Sequence, residues 1–206
     1  MSTLLSTLDL RDPLARAGRI GASFIVEAIE GSFRKILRDE IAAGSFEPLP
    51  EQSGPYGVRE EAELLEIPAE DLSAYPAVAQ LRTDLMQLVH EHGRNIDGLE
   101  EWRPNDVAAM RYHRGSLGIT PHRDGKRHRF LIAIVTIEGA AAFTLCADRE
   151  GTGIDHWPTT PGSLVLMRGP GLNGVEDGRP FHTVSGPTSG ARVSLTFRMG
   201  DGSRRP

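Results

Sequence analysis

The sequence predicts a mainly β chain with supporting helices (α+β) and a double-stranded β-helix, or jelly-roll, core. Three observations predict it. After Trp102-Arg103-Pro104 the pattern changes to short apolar segments separated by turn-forming residues. Eight such segments follow at a spacing that suits an antiparallel double sheet. Before that point lie stretches with helical periodicity, which supply something for a sheet to pack on.

Residues 1–20 carry Leu4, Leu5, Leu8, Leu10 and Leu14 at irregular spacing, interrupted by Pro13, and read as a loosely packed arm. Residues 23–29 are apolar enough for a strand or a helix start, and periodicity does not choose between them. From Ser32 a helix is expected. Ser32 is a candidate cap, Phe33, Ile36, Leu37 and Ile41 share a face, and Gly44 is a candidate stop. Residues 46–57 hold three Pro and two Gly and read as loop. A strand is expected over 61–68, with Ala62 and Leu64 inward and Leu65 and Ile67 as further inward candidates. The acids between Glu60 and Asp71 read as a solvated face. Residues 76–92 read as a helix that starts on Pro76, carries Val78, Leu81, Leu85, Leu88 and Val89 as its stripe, and ends at Gly93. The eight expected strands are 107–113, 118–122, 129–137, 142–147, 154–157, 163–168, 181–185 and 192–198. The expected organisation is one compact domain: a support region over 1–104, the jelly roll over 105–199 and a tail over 200–206.

Within that core, His122-Arg123-Asp124 places an imidazole and a carboxylate two residues apart, on one face of a strand. A further imidazole, His182, opens a later strand. Two His and one carboxylate on one metal leave coordination positions open and favour non-haem Fe(II) of the oxygen-using kind over zinc. In 192–198, Arg192, Ser194, Thr196 and Arg198 alternate with Val193, Leu195 and Phe197. If the apolar face packs under helices, the polar face lines a cavity, where a guanidinium binds a carboxylate bidentately. In a jelly roll, His122 and His182 then meet at the open mouth, with Arg192 and Tyr112 deeper.

Residues 105–199 resemble the Fe(II)/2-oxoglutarate-dependent dioxygenases, and within them the AlkB-like branch. The resemblance rests on Tyr112-His113-Arg114-Gly115, His122-Arg123-Asp124, His182 and Arg192-Val193-Ser194-Leu195-Thr196-Phe197-Arg198. It implies that His122, Asp124 and His182 hold iron. It implies that Arg192 clamps the far carboxylate of 2-oxoglutarate, helped by Ser194 and Tyr112. It implies an oxidoreductase that uses O2 to couple oxidative decarboxylation of 2-oxoglutarate to hydroxylation. The carboxylate of Asp124 implies oxygenation rather than halogenation. Met110 stands where AlkB-type enzymes often carry Asn, and Lys126 where they usually carry an acid that touches the damaged base. A small-molecule substrate is therefore expected ahead of oxidative demethylation of alkylated bases. A jelly-roll binding module is the non-enzyme alternative.

Lys126 and Arg127, flanked by Arg123 and Arg129, form a mouth loop suited to an anionic substrate, a carboxylate or phosphate. Arg198, at the mouth end of its strand, is a further candidate for the substrate side. The loop 169–180, rich in Gly and Pro, reads as a lid. The spare His113, His128 and His156 read as hydrogen-bonded structural residues. The 206 residues carry a formal net charge of -5, which disfavours nonspecific nucleic-acid binding. The single cysteine, Cys146, reads as a small core residue. No stretch has the length and apolarity of a membrane helix, and a cytoplasmic protein is expected.

Overall fold

In the computed structural model, residues 2–53 and 56–202 are described. Residues 54–55 of the expected loop and 203–206 of the expected tail lie outside them. In chain order the elements are α1 (Arg11–Ile20), β1 (Ala22–Ile25), α2 (Gly31–Ala42), β2 (Glu47–Pro48), β3 (Gln52–Ser53), β4 (Val58–Arg59), β5 (Glu63–Pro68), α3 (Pro76–His92), β6 (Asp106–Tyr112), β7 (Gly118–His122), β8 (His128–Glu138), β9 (Ala141–Cys146), β10 (Gly153–Thr159), β11 (Leu164–Arg168), β12 (Phe181–Ser185) and β13 (Arg192–Gly200).

Two antiparallel sheets form the jelly roll. The larger runs β1-β11-β8-β13-β6-β5-β2, the smaller β10-β9-β12-β7, and β3-β4 is a separate hairpin. The eight expected strands correspond to β6–β13. β1, β2 and β5, from the region before residue 105, hydrogen-bond into the larger sheet.

The expected arm over 1–20 is instead an ordered element. Helix α1 buries Leu14 and Ala17, and Leu4 and Leu10 join the core. Pro13 does not interrupt it, because it sits in the first turn, where backbone N–H groups have no partner within the helix. Helix α2 also differs at its start: Glu30 is the N-cap residue, and its side chain makes no cap hydrogen bond. Its inward face is Phe33, Leu37 and Ile41, whereas Ile36 is exposed. In β5, Leu65 and Ile67 are buried and Leu64 is only partly so.

The two faces of the larger sheet do different work. Val193, Leu195 and Phe197 lie in the main core together with Leu14, Leu37, Leu81 and Leu85 from the helices. Trp102 anchors this layer. It is fully buried, and its indole N–H donates to the Leu131 carbonyl at 2.7 Å. The opposite face meets the smaller sheet. Ile132, Val165 and Met167 pack against Ile119, Phe143, Leu145 and Val184. Period-two alternation in β13 therefore aims Arg192, Ser194 and Thr196 between the sheets, where all three are buried. No described helix is long and apolar enough to cross a membrane.

Candidate active site

Strands β7 and β12 are antiparallel neighbours, and their register sets His182 directly opposite His122. Asp124 follows β7 by two residues. One ligand atom from each of His122, Asp124 and His182 falls within 4.8 Å of the others. The imidazole rings tilt at 51° with centroids 4.2 Å apart. From Asp124 Oδ1, the Nε2 atoms of His122 and His182 lie at 3.6 and 4.0 Å.

The backbone sets both imidazoles to the same tautomer. His122 Nδ1 donates to the Thr120 carbonyl at 3.0 Å, and His182 Nδ1 lies 3.5 Å from the Pro180 carbonyl. Each Nε2 atom is thereby turned toward Asp124. Such outer hydrogen bonds orient metal-binding imidazoles. Phe143 stacks on the His182 ring at 5.4 Å and fixes its plane. Arg179 Nη1 donates to the Asp124 carbonyl, and Asp177 holds the Arg179 guanidinium through both carboxylate oxygens. The Gly- and Pro-rich segment 169–180 thus ties down the acid of the triad.

Electrostatics suit a metal site. Burial alone would raise Asp124, but the hydrogen bond with His122 and the neighbouring imidazoles hold it well below the usual carboxylate range. Burial and the neighbouring His122 push His182 down to about 4, so it is neutral at pH 7. Burial also pulls His122 down, yet the Asp124 carboxylate more than offsets this and leaves it raised.

Arg192 opens β13 opposite Tyr112. Its residue is 2% exposed, and among the described residues it meets no carboxylate. Nη1 donates to Ser194 Oγ at 3.2 Å and Nη2 to Thr136 Oγ1 at 3.4 Å, while Nε has no partner. Burial lowers its pKa. The Tyr112 ring lies 5.9 Å from the guanidinium carbon. Burial and the neighbouring Glu60 raise the Tyr112 hydroxyl well above its ordinary value, and the charges of both Arg192 and Asp124 reach it. Tyr112 therefore links the guanidinium to the triad within one interior.

The expected substrate cations are placed differently. Arg127 and Arg198 both bind Asp106, at 2.7 and 2.9 Å, and Lys126, largely exposed, lies 3.7 Å from Asp177. Arg123 and Arg149 instead lie over the Phe181 ring, and Arg149 also over Tyr56. Of the spare histidines, His113 contacts Glu63 at 3.0 Å, His156 bonds Thr144 at 3.0 Å and His128 is buried 3.4 Å from Asp106.

Sequence reasoning missed Thr136, Arg179 and Glu60. Thr136 had a readable signal, a hydroxyl on the inward phase of an otherwise apolar strand. Arg179 had none. Glu60 was assigned to a solvated acidic face, but it bridges to Ile119 of β7, and its carboxylate accepts a hydrogen bond from the Tyr112 hydroxyl at 2.7 Å. Burial raises its pKa.

No protein-family model matches the chain, and no curated protein sequence matches it. Solved structures do. A prolyl hydroxylase from Trichoplax adhaerens, in complex with a hypoxia inducible factor oxygen degradation domain peptide, aligns with TM-score 0.66 at 12% identity, covering 93% of this chain and 91% of its own. A Pseudomonas putida prolyl-4-hydroxylase aligns with TM-score 0.61 at 18% identity, covering 95% and 99%. An oxidoreductase of the 2OG-Fe(II) oxygenase family from Burkholderia pseudomallei aligns with TM-score 0.64 at 13% identity, covering 99% and 100%. Over nearly its whole length, the chain has the jelly-roll fold of these 2-oxoglutarate/Fe(II) oxygenase structures.

Proposed function

We propose that this chain is an Fe(II)/2-oxoglutarate-dependent dioxygenase that hydroxylates a small molecule. The observation that carries the reading is Arg192. A buried guanidinium that meets no carboxylate among the described residues, and has one N–H unsatisfied, is costly to keep. The distal carboxylate of 2-oxoglutarate supplies the missing partner. His122, Asp124 and His182 would hold the metal. Two neutral imidazoles and one carboxylate are the donor set of oxygen-using ferrous sites, with positions left open for cosubstrate and O2. When bound, iron supplies the activation of O2 at the expense of 2-oxoglutarate. The balanced reaction takes R–H, 2-oxoglutarate and O2 to R–OH, succinate and CO2.

The chain's own residues bind, orient and exclude. Arg192 fixes the cosubstrate through charge-assisted hydrogen bonds, and Ser194 and Thr136 hold the guanidinium in place. The Asp124 carboxylate remains ionised at neutral pH, so it neutralises part of the metal's charge. The Thr120 and Pro180 carbonyls face the Nδ1 atoms, which leaves each Nε2 as the atom offered to the metal. Ile132, Phe143, Leu145, Val165 and Met167 form the apolar wall that excludes bulk water.

The test is anaerobic titration of the metal-free protein with Fe(II) and then 2-oxoglutarate, followed by the visible charge-transfer band in wild type and Arg192→Ala. A band that needs both additions and weakens in the variant supports the assignment. Iron binding without a band would overturn the cosubstrate, and no iron binding would favour a jelly-roll binding module. Succinate release then ranks substrates. The panel includes small acids, methylated oligonucleotides for the AlkB-type alternative, and prolyl peptides, because one neighbour is a peptide complex.

A further inference from the structure

Phe181 carries two guanidiniums. Arg123, set between the candidate ligands His122 and Asp124, lies 4.2 Å from its ring centroid, and Arg149, from the β9–β10 loop, lies 5.3 Å from it. Arg149 also lies 4.1 Å from the ring centroid of Tyr56, which is 71% exposed. Alternation along β12 turns His182 inward and leaves Phe181 for the outer face, so the stack stands on the rim, one residue away from the triad. Its supports are ordered. Thr120 of β7 exchanges hydrogen bonds with the Arg59 backbone at 3.0 and 3.3 Å, which holds the hairpin of Tyr56 beside the sheet. A Cβ added at Gly151 would fall 3.0 Å from Pro121, so the loop of Arg149 lies against the end of β7. The neighbouring acids are engaged elsewhere. Asp124 faces the two imidazoles, Asp148 accepts the Thr152 N–H at 2.9 Å, and Asp177 is shared by Arg179 and Lys126. Glu150 is exposed and, like the two arginines, forms no ion pair among the described residues. Two like charges on one ring repel each other, and an anion held between them removes the repulsion.

Resting on the oxygenase reading, we propose that Arg123 and Arg149 are specificity-determining residues, and that the molecule hydroxylated carries a phosphate monoester, which the two guanidiniums hold at the rim while the target carbon enters the mouth. A phosphate monoester at neutral pH carries close to two negative charges and three acceptor oxygens, enough for both guanidiniums. A carboxylate brings one charge and two oxygens. Phe181 and Tyr56 have a positioning role: their rings hold the planar guanidiniums, so less freedom is lost when the anion binds. The anion site thus differs from the one suggested by the sequence of the mouth loop. Lys126 and Arg127 face acids, at Asp177 and Asp106, whereas Arg123 and Arg149 face aromatic rings.

The experiment uses Fe(II)-loaded protein saturated with 2-oxoglutarate under argon, so that Arg192 is occupied, and measures binding by calorimetry. The probes are phenyl phosphate, benzoate and neutral benzamide. In wild type phenyl phosphate binds about tenfold or more tighter than benzamide, as charge-assisted hydrogen bonds supply, and more tightly than benzoate. Arg123→Gln and Arg149→Gln each reduce the ratio, and the double variant brings it to about one. Raising the ionic strength lowers the ratio in wild type, an arm that needs no variant to fold. Equal binding of phenyl phosphate and benzamide to wild type overturns the proposal, as does a preference that survives the double variant or ignores salt. Benzoate bound as tightly as phenyl phosphate overturns the phosphate assignment. The same samples are titrated with 2-oxoglutarate. If the cosubstrate fails to bind while the phosphate preference persists and depends on both arginines, the oxygenase reading fails and the anion site stands. If the cosubstrate binds and no preference exists, only the proposal for Arg123 and Arg149 fails.

Discussion

Replacing Arg192 with Met separates a binding residue from a structural one, because the two roles predict opposite changes in stability. In the metal-free chain the guanidinium is held by two hydroxyls at 3.2 and 3.4 Å, and its Nε is unsatisfied. An unsatisfied buried donor costs roughly 1–3 kcal/mol, and replacing buried charges by apolar side chains of similar volume is often neutral or stabilising. Arg192→Met is therefore expected to stabilise the ligand-free protein by about 1–3 kcal/mol. For a chain of this length each kcal/mol moves the midpoint by about 2–4 °C. The same change removes one partner of a buried charge pair with 2-oxoglutarate, a loss of about 2–5 kcal/mol, or roughly 30-fold or more in affinity. With ligand at about 100 times the wild-type Kd, wild type gains about 2.7 kcal/mol and the variant less than about 1 kcal/mol. The assay is urea unfolding of the metal-free protein, then of the Fe(II)-loaded protein under argon with and without 2-oxoglutarate. A variant less stable than wild type without ligand, or one that keeps the full ligand-induced shift, would refute the reasoning.

Three further outcomes are expected. Arg179→Gln releases the Asp124 carbonyl and is expected to weaken Fe(II) binding about 10- to 100-fold, read by chelator competition, with little change in the unfolding midpoint. Glu60→Gln tests a sign. A carboxyl raised on folding contributes stability that is present in acid and lost as pH rises through its folded value. The Gln variant is thus more stable than wild type at pH 7–8, by about 1 kcal/mol, and the difference vanishes toward about pH 4; a difference that does not change with pH would contradict this. Leu85→Ala, at a fully buried position of α3, is expected to lose about 2–5 kcal/mol of stability while the folded fraction keeps its affinity for 2-oxoglutarate. A matching loss of that affinity would mean that the helix layer supports the site more directly than the fold suggests.

Much of the fold was legible because its signals are local. Alternation in 192–198 stated which side of β13 faces the helices, and burial of Leu195 and Phe197 beside the helix residues follows from it. Helix α3 carried its own start, stripe and stop, so the expected and observed bounds agree. Helix α1 was not legible. Its irregular leucines make sense only once β1 and the neighbouring helix give them surfaces to cover, and its proline is harmless only because of where the first turn falls. The candidate site divides in the same way. His122 and Asp124 are near in sequence, His122 ending β7 and Asp124 two residues beyond it, so their spacing alone marked them as a pair.

The amino-acid sequence alone determined the strand rhythm, the shared face of Arg192, Ser194 and Thr196, and the chemical types available for a ferrous site. The tertiary structure decided which charges are available. Lys126, Arg127 and Arg198 looked equally ready for a substrate, yet acids distant in the chain, Asp106 and Asp177, engage all three. Glu60 looked like one solvated acid among several until Tyr112, from another strand, drew it inward. The physical reason is that periodicity is a property of neighbouring residues, whereas charge pairing and desolvation depend on groups that only folding brings together.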